Sequence, residues 1–343
     1  DRLTGKKNDT RITMKYDGSP SVVFGRHPET GRFFVASKSA FNKNPKINYT
    51  LEDIERNHGH APGLVSKLRA ALQHLPKVTP KKGVFQGDIM HTAEDVHESD
   101  GRVHFTPNTI TYSAPKNSAH GKAALNSKIG VAIHTKYNGK NLEDMQAEHG
   151  AQLNDFGLHK DVHLISTEHH LDNIKFTPQN RERFAKAMTA AAAHNKKAKP
   201  ETYEAIKGHE IPLKTYINHT VRTGTKPSVE GFMNHYMKAH QKKIEGVKMA
   251  ASKASKTAAM ESDIGHVQRN RAHFENVLNQ HKHLQKAKDI LAHTLSSSAE
   301  FDHSINGKKS KPEGFVVVRH NRPTKIVDRA EFSAANFNKV KAQ

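Results

Sequence analysis

The two ends of this chain are strand-like and its middle is helix-like, and that division limits the folds open to it. Residues 11–35 read as strand, turn, strand. Arg11-Ile12-Thr13-Met14-Lys15-Tyr16 runs into the turn Asp17-Gly18-Ser19-Pro20, and Ser21-Val22-Val23-Phe24-Gly25 follows. After a turn over 28–31 comes Arg32-Phe33-Phe34-Val35-Ala36-Ser37. Alternation punctuated by Gly and Pro is the pattern of an antiparallel meander. Leu51, Ile54, Leu64, Leu68 and Leu72 recur at helical spacing, and strands are expected again at 83–90, 103–113 and 128–137. From about 141 to 300 the chain turns to Ala, Lys, His, Glu and Gln. Phe184, Ala187, Met188 and Ala191 mark one helix there, Phe232, Tyr236, Met237 and His240 another, and Phe274, Val277, Leu278, Leu284 and Ile290-Leu291 a long third. Strands resume at 314–319 and 324–328, and a short helix is expected near 333–340. The economical reading is an α+β fold. Residues 1–140 and 306–343 form one domain of antiparallel sheets with helices, interrupted by a helical insertion over 141–305.

Charge narrows the partners. Lys and Arg number 54 against 34 Asp and Glu, a net charge of +20 before the 26 histidines are counted. Such an excess favours a polyanion, with nucleic acid the first candidate. The lysine-rich helices, such as the one expected over 238–256, suit the tracking of a phosphate backbone, and sparse aromatics argue against base-specific readout. There is no cysteine, so disulfides, thiolate catalysis and zinc–thiolate sites are excluded. No apolar run has the length of a membrane-spanning helix and no secretory signal is visible, so no membrane partner is expected. The first residue is Asp1 rather than Met, as expected of a fragment or a processed product. His169-His170 and the pair His281 and His283 suggest a metal site at first sight. Neighbours on a helix diverge by about 100°, however, and no H-E-x-x-H pattern accompanies them, so surface histidines are the better account.

Four blocks carry chemistry: Lys15-Tyr16-Asp17-Gly18, then Val84-Phe85-Gln86-Gly87-Asp88-Ile89-Met90, then Pro312-Glu313-Gly314-Phe315-Val316-Val317-Val318, then Pro323-Thr324-Lys325-Ile326-Val327-Asp328. An amine that attacks a phosphate must shed its proton near neutral pH, which lysine can do and arginine cannot. In this order the blocks resemble motifs I, III, IV and V of the covalent nucleotidyltransferases, the superfamily of ATP-dependent DNA and RNA ligases and mRNA capping enzymes. Within it the chain looks closest to bacteriophage RNA-ligase-like proteins. The resemblance covers 11–135 and 311–335; the insertion resembles no family.

The resemblance implies ATP and Mg2+ as cofactors, and Lys15 as the nucleophile that becomes adenylylated. It makes Glu313 the carboxylate that serves the metal and helps to activate the lysine, and Lys325 the grip on the α-phosphate. Asp17 and Gly18 complete the first motif at the nucleotide, and Lys38, after a strand, contacts sugar or phosphate. Asp88 stands where the family usually has Glu, near the sugar or the metal. His134 occupies the strand that usually carries an aromatic for the base, and is expected to pack on the purine. The family's second lysine after Lys325 is replaced by Val327, leaving Arg319, Arg322 and Arg329 as candidates.

The leading expectation is an ATP-dependent polynucleotide ligase working through lysyl-AMP on ends that bear a 5′-phosphate. RNA is preferred over DNA because the 18 residues after Lys325 leave no room for the family's C-terminal OB-fold. The alternative is a catalytically degenerate, ligase-like protein that binds nucleic acid or associates with a virion. The expected location is the cytoplasm of an infected bacterial host, with virion association as the variant.

Overall fold

The computed structural model describes residues 9–169, 171, 174–296, 300–327 and 332. In chain order the strands are β1 (Arg11–Lys15), β2 (Ser21–Arg26), β3 (Phe33–Ala36), β4 (Val84–Thr92), β5 (His97–Ser99), β6 (Arg102–Phe105), β7 (Thr111–Pro115), β8 (Ile129–Asn138), β9 (Gln146–His149), β10 (Val162–Ser166), β11 (Asp302–Ile305), β12 (Lys308–Ser310), β13 (Gly314–Arg319) and β14 (Arg322–Val327). The helices are α1 (Leu51–His58), α2 (Pro62–His74), α3 (Ala119–Asn126), α4 (Pro178–Lys197), α5 (Pro200–Ile206), α6 (Glu210–Thr223), α7 (Val229–Glu245), α8 (Ala250–Arg269) and α9 (Arg271–Leu295). The chain is therefore α+β, with sheets that are mostly antiparallel.

It divides into two compact units. The first comprises Asp1–Lys175 with Thr294–Val327, and the second Phe176–His293 with Asp328–Gln343. The first is built on the order β10-β8-β4-β2-β3, with β9 also on β8, beside a sheet β12-β11-β7-β6-β5 and a small sheet β1-β13-β14. Strands β2 and β4 are buried on both faces because the central sheet is covered twice. On one side Val22, Phe24, Phe85, Ile89, Val131 and Ile133 meet Ile54 of α1 and Leu68 of α2. On the other, Val23, Phe34, Ala36 and Val84 meet Leu142. Fully burying each such side chain contributes about 1.5–3 kcal/mol, which seats the sheet firmly. Helix α1 begins where it does because the Thr50 side chain accepts from Asp53 N while the Asp53 carboxylate accepts from Thr50 N, a reciprocal cap.

The second unit is helical. Phe232, Tyr236, Phe274 and Leu278 form its core with Leu213, Tyr216 and Met260. The division falls at 175/176 and 293/294 rather than at the expected 140/141 and 305/306. Residues 146–149 and 162–166 form β9 and β10 instead of helix, and β11 likewise belongs to the first unit. Strands of four or five residues offer too few alternations to be told from loop or helix. The expected helix over 238–256 is two helices, because Gly246 ends α7 and α8 starts only at Ala250. Met188, expected in an apolar stripe, is exposed. The closing helix at 333–340, His170 and Arg329 lie outside the described residues. Among the described residues no helix is long and apolar enough to cross a membrane.

Candidate functional site

Strand β1 lies antiparallel to β13, and the register sets Lys15 opposite Gly314, so Lys15 and Glu313, 298 apart in sequence, become neighbours. Lys15 Nζ donates to Glu313 Oε2 at 2.5 Å, with the two side chains 27% and 11% exposed. Strand β14 pairs with the far edge of β13, placing Lys325 opposite Val316. After Lys15 the chain turns and is stitched to β4: Ser19 N donates to Ile89 O, and Ile89 N to Pro20 O. That turn admits only glycine at position 18. A Cβ there would lie 2.5 Å from Cβ of Asp88 and 2.9 Å from Sδ of Met90.

Asp88 faces the same space from β4. The β4–β8 register jumps from Gln86↔Thr135 to Gly87↔Ile133, a bulge that leaves His134 as the extra residue. The bulge turns His134 into the cleft, where its Nδ1 pairs with Thr135 Oγ1 at 2.7 Å and its Nε2 lies 3.7 Å from Asp88 Oδ2. The cleft so formed has a volume of about 590 Å3. Lys15, Asp17, Gly18, Lys38, Asp88, His134 and Lys325 all line it, and Glu313 joins it through Lys15.

Burial pushes the Glu313 carboxyl above its ordinary range; the Lys15 ammonium opposes that shift, and the nearby Asp17 and Asp88 charges reinforce it. A carboxylate so desolvated is a better proton acceptor than one in water. His149, on β9 opposite Thr135 of β8, also lines the cleft and is held below its ordinary value by burial and then by His134.

The Asp17 carboxylate does not point into open space. It accepts from Asn108 Nδ2 at 2.9 Å, Thr109 N at 2.8 Å and Ile110 N at 3.1 Å, while Asp17 N donates to the Tyr112 hydroxyl at 2.6 Å. Its place is to hold the turn after Lys15 against the loop before β7. Arg319 and Arg322, candidates for the missing basic residue, sit opposite each other at the turn end of the β13–β14 hairpin. Three residues from Lys325, Arg322 projects from the other face of the strand, and neither arginine lines the cleft.

Sequence reasoning overlooked part of the wall. Strand β8 runs three residues past Thr135, to Asn138, and brings in Tyr137, whose ring lies 4.5 Å from that of Phe41. The Tyr137 hydroxyl donates to Gln86 Oε1 at 2.5 Å, and Gln86 Nε2 donates to Ser21 Oγ at 2.9 Å. Tyr137, the last residue of the expected strand over 128–137, therefore supplies an aromatic on the strand that carries His134. The signal was its continued alternation through Lys136. Phe41, beside Lys38 in a short turn, gave no periodic signal.

Among the described residues no group of three or more His, Asp or Glu side chains is placed to hold a metal. The pair His281 and His283 lies within α9, where His283 stacks on His194, and His169 is buried with Nε2 at 2.9 Å from Leu295 O. A family model described as a family of unknown function, DUF6267, matches residues 1–341, and the chain belongs to that family. No curated protein and no solved structure matches it.

Proposed function

We propose that the chain is an ATP-dependent polynucleotide ligase of the covalent nucleotidyltransferase type, with RNA ends preferred. One observation carries the reading: an amine and a desolvated carboxylate 2.5 Å apart, on a cleft of nucleotide size that also receives Lys38, Asp88 and Lys325. Glu313 takes a proton from the Lys15 ammonium. The freed lone pair attacks the α-phosphorus of ATP, the bond from that phosphorus to the bridging oxygen breaks, and pyrophosphate departs with the electron pair and the second amine proton. Lys325 offsets the charge that develops on the phosphoryl oxygens. AMP then passes to a terminal 5′-phosphate, and a 3′-hydroxyl displaces it.

The donor set suits Mg2+ carried in by the triphosphate, since that ion is held by one or two carboxylates with phosphates and water rather than by a protein cage. Asp88 and Glu313 are the residues that would hold it, and the ion would supply charge neutralisation at the phosphates. Tyr137, Phe41 and His134 offer the ring faces for a base. The +20 charge supports nucleic acid as the partner, and the phage-like motifs support the cytoplasm of an infected bacterium as its place.

A second reading rests on one departure: Lys325 stands without a second lysine, and the nearby arginines face away. On that reading the chain is a degenerate scaffold that binds nucleic acid or joins a virion. Incubation with Mg2+ and ATP labelled at the α-phosphate, followed by denaturing electrophoresis, separates the two. A labelled chain that loses its label to 5′-phosphorylated RNA supports the ligase; an unlabelled chain that still binds RNA supports the scaffold.

A further inference from the structure

The first unit holds a row of three histidines that the cleft does not use. His91 lies near the end of β4, His163 on β10, His120 in the first turn of α3, and Glu300 just ahead of β11. Nε2 of His91 is 3.1 Å from Nδ1 of His163, Nε2 of His163 is 3.0 Å from Nδ1 of His120, and Nε2 of His120 is 3.2 Å from Oε2 of Glu300. His91 and His163 are 1% and 4% exposed, so solvent does not hydrate them. The packing accommodates the row. A Cβ on Gly130 would fall 2.1 Å from Nε2 of His91, and the rings of Phe105 and Phe301 lie against His91 and His120.

Counting protons gives the row a direction. The Glu300 carboxylate only accepts, so His120 carries its hydrogen on Nε2 and its Nδ1 accepts. His163 must then donate through Nε2 and accept at Nδ1, and His91 must donate through Nε2. That leaves Nδ1 of His91 bare, and this atom is buried without a hydrogen-bond partner. Three neutral imidazoles, each protonated on Nε2, satisfy every other atom of the row. An added proton has no such arrangement. Wherever the charge settles, N–H···N polarity between the rings requires a hydrogen on Nδ1 of His91, a buried atom with no partner within hydrogen-bond distance.

We propose that this row is an acid-operated latch, which when neutral ties α3 and the Glu300–Phe301 segment to β4 and β10, and which opens when a proton enters it. The surrounding charges do not cancel this. Burial holds His91 down to about 4; Asp95 pulls upward, Lys67 downward, and the Thr92 backbone upward by less than any of these. Burial likewise holds His163 well below the ordinary histidine range, with His91 and His120 adding to it. His303 on β11 is held down to about 4 by burial, with Asp302 opposing.

In the unfolded chain these imidazoles charge near pH 6.5, so between about 6.5 and 4 the unfolded state binds more protons. The latch's contribution is complete above 6.5 and drains as pH falls toward 4. Opening reaches the cleft through Phe301, whose ring packs on Tyr16 and Tyr112, the latter holding the Asp17 amide.

The test uses the full chain. Imidazole nitrogen NMR at pH 7.5, with signals assigned by their loss in single variants, should show His91, His163 and His120 as Nε2–H tautomers. Denaturant titrations from pH 7.5 to 4.5 should show the unfolding constant rising through His91 and His163 by about tenfold per pH unit each. His163→Gln should lower that slope by about one proton. Glu300→Gln keeps an acceptor for His120 but removes the anion that favours an entering proton, so its acid transition should move to lower pH. Nδ1–H tautomers, or an acid transition in Glu300→Gln that stays put or moves up, would overturn the latch, whether or not the His163 variant folds.

Discussion

Replacing Glu313 by Gln removes the proton transfer on which the proposed chemistry depends, together with the carboxylate assigned to Mg2+. The Lys15 nitrogen stands 2.5 Å from Oε2, and only 11% of the Glu313 side chain is exposed, so at neutral pH this carboxylate is the base in place. Glutamine keeps the shape and the hydrogen-bond acceptor but cannot take a proton at neutral pH. Loss of a positioned general base lowers rates by about 10²–10⁴-fold. The variant should therefore form the lysyl adduct about 10²–10³-fold more slowly, a barrier about 2.7–4 kcal/mol higher. The defect should shrink as pH rises, because alkaline solvent then removes the proton. Glu313→Asp draws the carboxylate back by about 1.5 Å, to about 4 Å from the amine and beyond hydrogen-bond reach, so it should recover little. The assay is single-turnover labelling from α-phosphate-labelled ATP, with circular dichroism melts to confirm folding. Adduct formation at the wild-type rate in Glu313→Gln would refute the reasoning.

Gly18→Ala should destabilise the first unit by about 1–3 kcal/mol and close the cleft, since its Cβ meets Cβ of Asp88 at 2.5 Å; denaturant titration and nucleotide binding read both effects. Lys325→Ala should slow adenylylation by about 10²–10³-fold, whereas Arg322→Ala, on the other face of β14, should leave the rate within about twofold in the same labelling assay. Nucleic-acid affinity of the full chain should fall linearly with log salt. Lys282→Ala and Lys286→Ala on α9 should each lower the slope by about one; fluorescence anisotropy with a labelled RNA measures it.

What was legible in the sequence was the set of strands with clear alternation. β1, β2, β4, β8, β13 and β14 carry runs such as Ser21-Val22-Val23-Phe24 and Phe315-Val316-Val317-Val318, and their ends were readable from Gly and Pro. The helices α4, α7 and α9 announced themselves by apolar spacing. The short strands β9 and β10 did not, since β10 owes its existence to parallel pairing with β8 rather than to its own five residues. Register explains why Lys15 and Glu313 meet, and it also explains what spacing hid. Tyr137 reaches the cleft wall because β8 continues, and His134 enters it because of a bulge. The Asp17 carboxylate turned toward Asn108 rather than the cleft because three donors on the loop before β7 surround it. The histidine row had no linear signature at all, because positions 91, 120 and 163 meet only through the packing of β4, α3 and β10.

The central claim is that Lys15 is the nucleophile, and the most direct measurement is peptide mass mapping of the chain after incubation with ATP and Mg2+. The account predicts a single AMP, acid-labile and alkali-stable, on the peptide that contains Lys15, and none on the Lys15→Ala variant. An adduct on another residue, or one of undiminished yield in that variant, would contradict it.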